Sequence, residues 1–347
     1  MVRVGIVGLG FMGMTHFHAL NRVRGARVTA ICTRDVKKRA GDWRGLGGNF
    51  GPRGGREDLS KVRTFEQIED LLNDETVDLV DICLPTPLHA PVAQAALRAG
   101  KHVLVEKPIA LTPADARSML TIATRARRHL MVAHVLPFEP EYAFALRAIV
   151  EGRYGPLVAA RFKRIICPPA WWGPEQFAAS GGPALDLHIH DVHFIVLACG
   201  RPKRVRSGGV VRDGIVHHID THYDFGDDGP NISCAGGALA QPGRPFTHGF
   251  ELFFDEATLL YEHATLGGKS VPVMPLTVLT DQGRVRRPKI HNTDPVVGFR
   301  DEFRGAVEGV RTGHVPEALS GRAASDALSL CCAEIKSVHS GRTVPVR

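Results

Sequence analysis

The stretch from Val2 to Ala19 constrains this chain more than any other. Val2, Val4, Ile6 and Val7 make a short apolar run of the kind a buried parallel strand needs, and it breaks at Gly8-Leu9-Gly10-Phe11-Met12-Gly13 before helix-compatible residues resume. Gly8 permits the tight turn, Gly10 lets the backbone approach a pyrophosphate with no Cβ in the way, and Gly13 lets the helix lie close to the strand. The amides that open the helix, at Phe11, Met12 and Gly13, then face the phosphates. A strand before and a helix after turn a common G-x-G-x-x-G match into a specific expectation, a bound dinucleotide.

At 347 residues the chain is long for one core, so two domains are expected. Hydrophobic content of 44% with 23% charged residues is ordinary for a globular protein and too mixed for disorder. The formal charge is +7, but the basic residues are dispersed and no long Lys/Arg block occurs. That pattern argues against nucleic acid and reads instead as help for anionic ligands. Seven cysteines, mostly inside apolar runs (Cys32, Cys83, Cys199, Cys331, Cys332) and without a C-x-x-C pair, favour buried thiols in a reducing compartment. The first strand starts at residue 2, leaving no room for a signal peptide, and no uninterrupted apolar run reaches membrane-spanning length. The expectation is a soluble cytoplasmic protein with no membrane partner.

Arg27 to Cys32 reads as the second strand, and its end bears on cofactor choice. An NAD-preferring fold places an acidic side chain about 20 residues past the glycines, on the ribose 2′-hydroxyl. That place falls on Thr33, followed by Arg34, with Lys37 and Lys38 close behind. A hydroxyl beside a guanidinium suits a 2′-phosphate, so NADP is favoured over NAD, although Asp35 does the NAD job if the turn shifts by two residues. Residues 45–58 are too rich in glycine for regular structure and read as a solvated insertion rather than a flap over the adenosine. Thr64 to Leu72 looks helical, Val77 to Leu84 a strand, and Ala90 to Ala99 a helix. Ligands gather at the carboxyl ends of strands in a doubly wound sheet, which brings Leu84, Thr86 and His89 to the cofactor. Lys101 to Pro108 repeats the plan, so that Glu106 and Lys107 point into the crevice, and Leu130 to His134 closes the series. From Pro137 the rhythm changes: a helix over Glu141 to Gly152, then mostly strands, then closing helices over Phe299 to Thr312 and Ala323 to Ser340. The fold class is an α/β Rossmann domain with a doubly wound parallel sheet (1–135), followed by an α+β domain with a large, mostly antiparallel open sheet (136–347).

The second informative stretch runs from Ser180 to Gly200. A Gly-Gly-Pro turn leads into a helix on which Asp186 and His190, four apart, share one face. His193 continues that stripe, while His188 and Asp191 face elsewhere. Hydride chemistry needs a base near neutrality, which histidine supplies; a cation to hold the reacting oxygen, which Lys107 supplies; and a group to orient the substrate, which Asp186 supplies.

These residues together give a resemblance. Gly8, Gly10 and Gly13, the strand end Glu106-Lys107-Pro108, the segment Glu151-Gly-Arg-Tyr-Gly155-Pro, and Asp186 with His190 stand in the order and spacing of the glucose-fructose oxidoreductase, inositol dehydrogenase and rhizopine catabolism (Gfo/Idh/MocA) family, which the chain resembles over nearly its whole length. The resemblance implies that Lys107, Asp186 and His190 are the catalytic set, that Trp172 lies near the nicotinamide, and that subunits associate through the open sheet as a homodimer or homotetramer. The sequence departs from the family pattern at Thr33, at the glycine run Ser180-Gly-Gly, and at His188, which stands where glycine is common. The expected activity is hydride transfer between NAD(P) and a secondary hydroxyl of a sugar, cyclitol or related polyol. Two rivals stay open: a tightly bound NAD(P) used transiently for glycoside cleavage, elimination or epimerisation, and a regulator that binds NAD(P) without catalysis. No metal is assigned, although Asp186, His190 and His193, or His218, Asp220 and His222 on one face of a strand, are residue types that bind divalent ions.

Overall fold

The computed structural model describes residues 1–346 apart from 49, 50, 52, 169–176, 178 and 291–295. The chain divides into two compact units, Met1–Glu139 with Asn292–Ser325, and Pro140–His291 with Asp326–Arg347.

In the first unit the elements run β1 (Val2–Val7), α1 (Phe11–Leu20), β2 (Ala26–Cys32), α2 (Val36–Arg39), β3 (Arg63–Phe65), α3 (Ile68–Leu72), β4 (Leu79–Ile82), α4 (His89–Arg98), β5 (His102–Glu106), α5 (Pro113–Ala126) and β6 (Leu130–Ala133). The strands lie in the order β3-β2-β1-β4-β5-β6, all parallel. This is the doubly wound Rossmann sheet, with its change of direction between β1 and β4, where a ligand crevice opens beyond the carboxyl ends. Helices on both faces explain the unbroken apolar runs: Val4, Ile6, Leu79, Val80 and Ile82 are all fully buried. The segment expected as one helix from Thr64 is divided. Thr64 and Phe65 pair with Ile31 and Cys32 at the sheet edge, and the helix starts only at Ile68. A β-branched and an aromatic residue beside an open edge find ladder partners there, which local helical spacing does not foresee. The helix Val297–Thr312 puts Phe299, Phe303, Ala306 and Val307 into the same core as Ile6, Met14 and Phe17.

The second unit holds α6 (Pro140–Val150), β7 (Leu157–Ile166), α7 (Pro183–Asp186), α8 (Ile189–Cys199), β8 (Arg204–Arg212), β9 (Ile215–Asp224), β10 (Asn231–Gly237), β11 (Phe246–Phe254), β12 (Ala257–Leu266), β13 (Lys269–Thr280), β14 (Val285–Arg286), most of the helix Gly321–Ser340, and β15 (Val344–Pro345). Among the described residues its nine strands run β14-β13-β12-β11-β7-β10-β9-β8-β15, antiparallel except for the β7–β10 pair. Alternation by two divides the faces: Phe162, Arg164, Phe250 and Leu252 are buried, while Arg161, Lys163, Glu251 and Glu262 are open to solvent in part or in full. No helix of the described residues is long and apolar enough to cross a membrane.

The glycine-rich segment after α2 is tied down where it is described. Trp43 is completely buried, meets Phe17 of α1 edge-on at 4.9 Å, and donates its indole N–H to the Lys38 carbonyl at 2.9 Å. Backbone bonds from Trp43 to Gly55 and from Gly54 to Leu46 close the excursion on itself. Trp43→Ala is therefore expected to lower the unfolding free energy by about 3–5 kcal/mol, read as a fall in the urea midpoint at constant slope. A loss below about 1 kcal/mol would mean that the segment is merely solvated.

Candidate active site

The three glycines of the β1–α1 turn are demanded by different surroundings. Gly8 has φ +95°, and a Cβ there would run into the Cys83 carbonyl; at Gly13 it would run into the carbonyl oxygen of Gly8. At Gly10 a Cβ would meet nothing within 4 Å. Its absence keeps a space clear rather than allowing a contact. Helix α1 opens from Gly10 with no side-chain cap, and Met14 N–H donates to the Gly10 carbonyl at 3.1 Å as the helix ladder begins. First-turn amides have no carbonyl within their own helix, so a clear space in front of them fits a pyrophosphate. Phe11 and Met12 are half-buried on that turn, and Lys38 reaches over it to donate to the Leu9 carbonyl at 2.9 Å.

At the end of β2, Thr33 is half-buried, and Arg34 is exposed with no ion-pair partner among the described residues. Asp35 is occupied as the cap of α2. Its Oδ1 accepts the Lys37 and Lys38 amides at 2.9 and 3.2 Å, so the acidic group nearest this corner is engaged with its own helix.

Leu84, Thr86, Glu106 and Lys107 stand at the carboxyl ends of β4 and β5, beside the glycine turn. Lys107 is half-buried, its peptide bond to Pro108 is cis, and its N–H donates to Glu106 Oε2 at 3.0 Å. His89 stands between the same strand ends with both ring nitrogens on backbone carbonyls, Nδ1 2.8 Å from Pro108 and Nε2 2.7 Å from Leu84. Burial lowers its pKa from the usual histidine value, and the two carbonyls oppose that shift; the neutral ring carries one N–H and donates to one of the two carbonyls. The ring serves the scaffold of the crevice at the point where the sequence suggested a cofactor contact.

Sequence reasoning passed over the group beneath. His16 of α1 is fully buried, with Nδ1 3.0 Å from Asp81 Oδ2 and 3.2 Å from Cys83 Sγ, and Nε2 3.1 Å from Glu106 Oε1. Burial opposes a charge on this ring, but Asp81 and Cys83 outweigh it and hold the His16 pKa well above the ordinary value. Burial likewise works against ionised Glu106, and His16 reverses it, holding that carboxyl below its usual range. Glu302, from the helix Val297–Thr312, is buried nearby, and desolvation raises its carboxyl well above the usual range. The signal was present in Leu79-Val80-Asp81-Ile82, where one acid interrupts a run that must be buried. His16, Asp81 and Cys83 are the one set of potential metal ligands whose donor atoms cluster among the described residues. The imidazole is taken up by carboxylates on both sides, and burial pushes the Cys83 thiol up to about 12, so the set behaves as a hydrogen-bonded ion cluster.

In the second unit Asp186 ends α7 and His190 lies in the first turn of α8, with the helix interrupted at Leu187 and His188. From residue 182 to 196 these two alone are not fully buried, so one partly open stripe carries both. Buried partners hold the other side. Asp191 receives the Arg164 guanidinium of β7 at 2.6 and 3.1 Å, and His188 Nε2 lies 3.1 Å from Glu334 Oε2. His193 does not continue the stripe. It is fully buried, and desolvation drives its pKa down to about 3, because α8 turns that position toward the core. His218 is half-buried and Asp220 and His222 are exposed on the open sheet face, with donor atoms that form no clustered ligand set among the described residues. Trp171 and Trp172 lie outside the described residues.

Residues 2–134 match the sequence profile of the oxidoreductase family with an NAD-binding Rossmann fold, Gfo/Idh/MocA. They are that family's NAD-binding domain. Beyond this domain, the chain is 26% identical over 353 residues to inositol 2-dehydrogenase of Rhizobium meliloti, covering 99% of each chain. It is 29% identical over 306 residues to 1,5-anhydro-D-fructose reductase of Ensifer adhaerens, covering 82% of this chain and 84% of that protein. A levoglucosan dehydrogenase solved with NADH and levoglucosan shares the fold over 99% of both chains, with a TM-score of 0.80 at 18% identity.

The buried His193 makes an acid limit for this chain. Unfolded, the ring takes up a proton below about pH 6.5, whereas the folded ring refuses it until about 3, so stability is lost as pH falls from 6.5 toward 3. Between pH 7 and 5 this ring accounts for about 2 kcal/mol of lost unfolding free energy. Urea titrations at both pH values should show His193→Leu removing that share of the pH dependence; an unchanged dependence would show that the ring titrates normally.

Proposed function

We propose that this protein transfers hydride between NAD(P) and a secondary hydroxyl of a sugar, cyclitol or related polyol. The observation that carries the reading is the first unit's crevice, where the clear space in front of Gly10 opens at the same carboxyl edge of the sheet as the strand end that carries Lys107, with β4 between them. Relatives named as an inositol dehydrogenase and an anhydrofructose reductase, both matched over most of their length, support a polyol-like substrate. The amides of the Gly10 turn, with Leu84 and Thr86, hold the dinucleotide, which supplies the hydride acceptor or donor when bound. His190 takes the hydroxyl proton, Lys107 holds the oxygen as negative charge grows on it, and Asp186 orients the substrate through hydrogen bonds to neighbouring hydroxyls. Substrate contacts come from the part of the chain after residue 135. Lys107→Ala should cut turnover with a panel of inositols and aldoses by at least about 1,000-fold while the dinucleotide Kd changes less than about threefold. Retained turnover removes Lys107 from the chemistry. Net accumulation of reduced dinucleotide separates this reaction from one that oxidises only transiently.

The preferred dinucleotide is NADP. With Asp35 committed to α2, the corner offers the Thr33 hydroxyl and the exposed Arg34 guanidinium, a set that suits a 2′-phosphate. Arg34→Ala is expected to lower kcat/KM for NADP about 10- to 100-fold and to leave NAD within about twofold. Equal losses for both would assign the 2′ position elsewhere. The working form is a homodimer or homotetramer built on the open face of the nine-stranded sheet, and the cytoplasm is the compartment in which its thiols stay reduced.

A further inference from the structure

The main chain at Lys107 is held from both sides by buried histidines on different helices. On one side the Lys107 N–H donates to Glu106 Oε2 at 3.0 Å, and the other oxygen of that carboxylate lies 3.1 Å from His16 Nε2. His16 is anchored in turn by Asp81, whose two oxygens are 3.1 and 3.0 Å from Nδ1. On the other side the carbonyl of Pro108 lies 2.8 Å from His89 Nδ1, and His89 Nε2 lies 2.7 Å from the carbonyl of Leu84. Neither ring is open to solvent, at 0% and 1% exposure, so neither can exchange these partners for water.

We propose that His16 and His89 are positioning residues that fix the Lys107 main chain, His16 through the Glu106 carboxylate and His89 through the Pro108 carbonyl. The linkage ties together the three elements that frame the crevice. His16 lies on α1, two turns of chain after Gly10; Asp81 and Leu84 belong to β4 and its exit; Glu106 and Pro108 flank Lys107 at the end of β5. The glycine turn and the lysine are therefore parts of one rigid frame, cross-linked by imidazole rings. The groups facing His16 are Asp81 and Cys83 from β4, Glu106 from β5 and Glu302 from the helix Val297–Thr312. With carboxylates at both ring nitrogens, an imidazolium is the form that hydrogen-bonds Asp81 through Nδ1 and ion-pairs with Glu106 at Nε2. A neutral ring would leave the buried Glu106 carboxylate without its counter-charge.

The consequence for chemistry rests on the reading of Lys107 as the residue that holds the reacting oxygen. Displacing such a group by about 1 Å costs on the order of 100-fold in rate without altering how substrate is recognised. The effect should therefore fall on kcat. His16→Gln and His89→Gln are expected to lower kcat about 10- to 100-fold, with KM for the best inositol or aldose and the NADP Kd both within about threefold. Hydrogen exchange at the Lys107 amide, measured on the unliganded protein, should accelerate at least about tenfold in His16→Gln, because the acceptor of that N–H is no longer held. In the unmodified protein, side-chain nitrogen resonances should report His16 protonated on both nitrogens at pH 7. Either variant with parental kcat in folded protein overturns the assignment for that residue. A neutral His16 at pH 7 overturns it for His16 even where the variant fails to fold. If Lys107→Ala keeps its turnover, the proposed function fails while the exchange and resonance results still judge the frame. If Lys107→Ala is inactive and both histidine variants match the parent, only the positioning inference fails.

Discussion

The first unit depends on one close approach. Helix α1 leaves the end of β1 so tightly that residue 13 has no room for a side chain beside the Gly8 carbonyl. That approach sinks the helix into the sheet, and every residue from Gly13 to Phe17, with Ala19 and Leu20, is buried. A helix drawn in so far carries its polar residues with it. His16 arrives among strands β4 and β5, where an ionisable ring is tolerated only against matched partners, and Asp81 and Glu106 are those partners. The same contact thus makes the clear space at Gly10 and requires the ion cluster beneath it.

The second unit solves a similar problem around α8. Arg164 with Asp191 is a buried ion pair on the inner side of the α7–α8 segment, where His188 Nε2 also stands 3.1 Å from Glu334 Oε2. Buried pairs of this kind contribute little net stability once desolvation is counted, but a rotated helix would break them and leave charges unpaired at a cost of about 3–5 kcal/mol. Their effect is on orientation. They fix which residues turn outward, and those are Asp186 and His190. In both units, then, buried polar and charged groups fix which side chains turn outward, because other arrangements would strand them without partners.

The sequence made the strands and the turn legible because their signals are local. Four valines and isoleucines before a glycine run identify β1, and the change of rhythm after Pro137 marks the strand-rich sheet that follows. The Lys107 strand end and the Asp186/His190 pair are visible in the same way, as polar residues placed where apolar segments stop. What local spacing missed were matters of surroundings. Thr64 and Phe65 joined a sheet edge, His193 turned inward past a helix interruption, Trp43 anchored a stretch that looks only like loop, and His89 spent both nitrogens on carbonyls.

By itself the sequence determined the class of fold and the kind of ligand the first unit accepts, since a glycine pattern between a strand and a helix leaves few alternatives. Only the tertiary structure decided which charges meet in the interior: His16, Asp81, Glu106 and Glu302 come from positions up to 286 residues apart. It also decided that residues 292–325 complete the core of the unit begun by residue 1. The physical reason is range. Backbone preference and periodicity act over a few neighbours, whereas the pairing of buried charges is settled by which elements pack together.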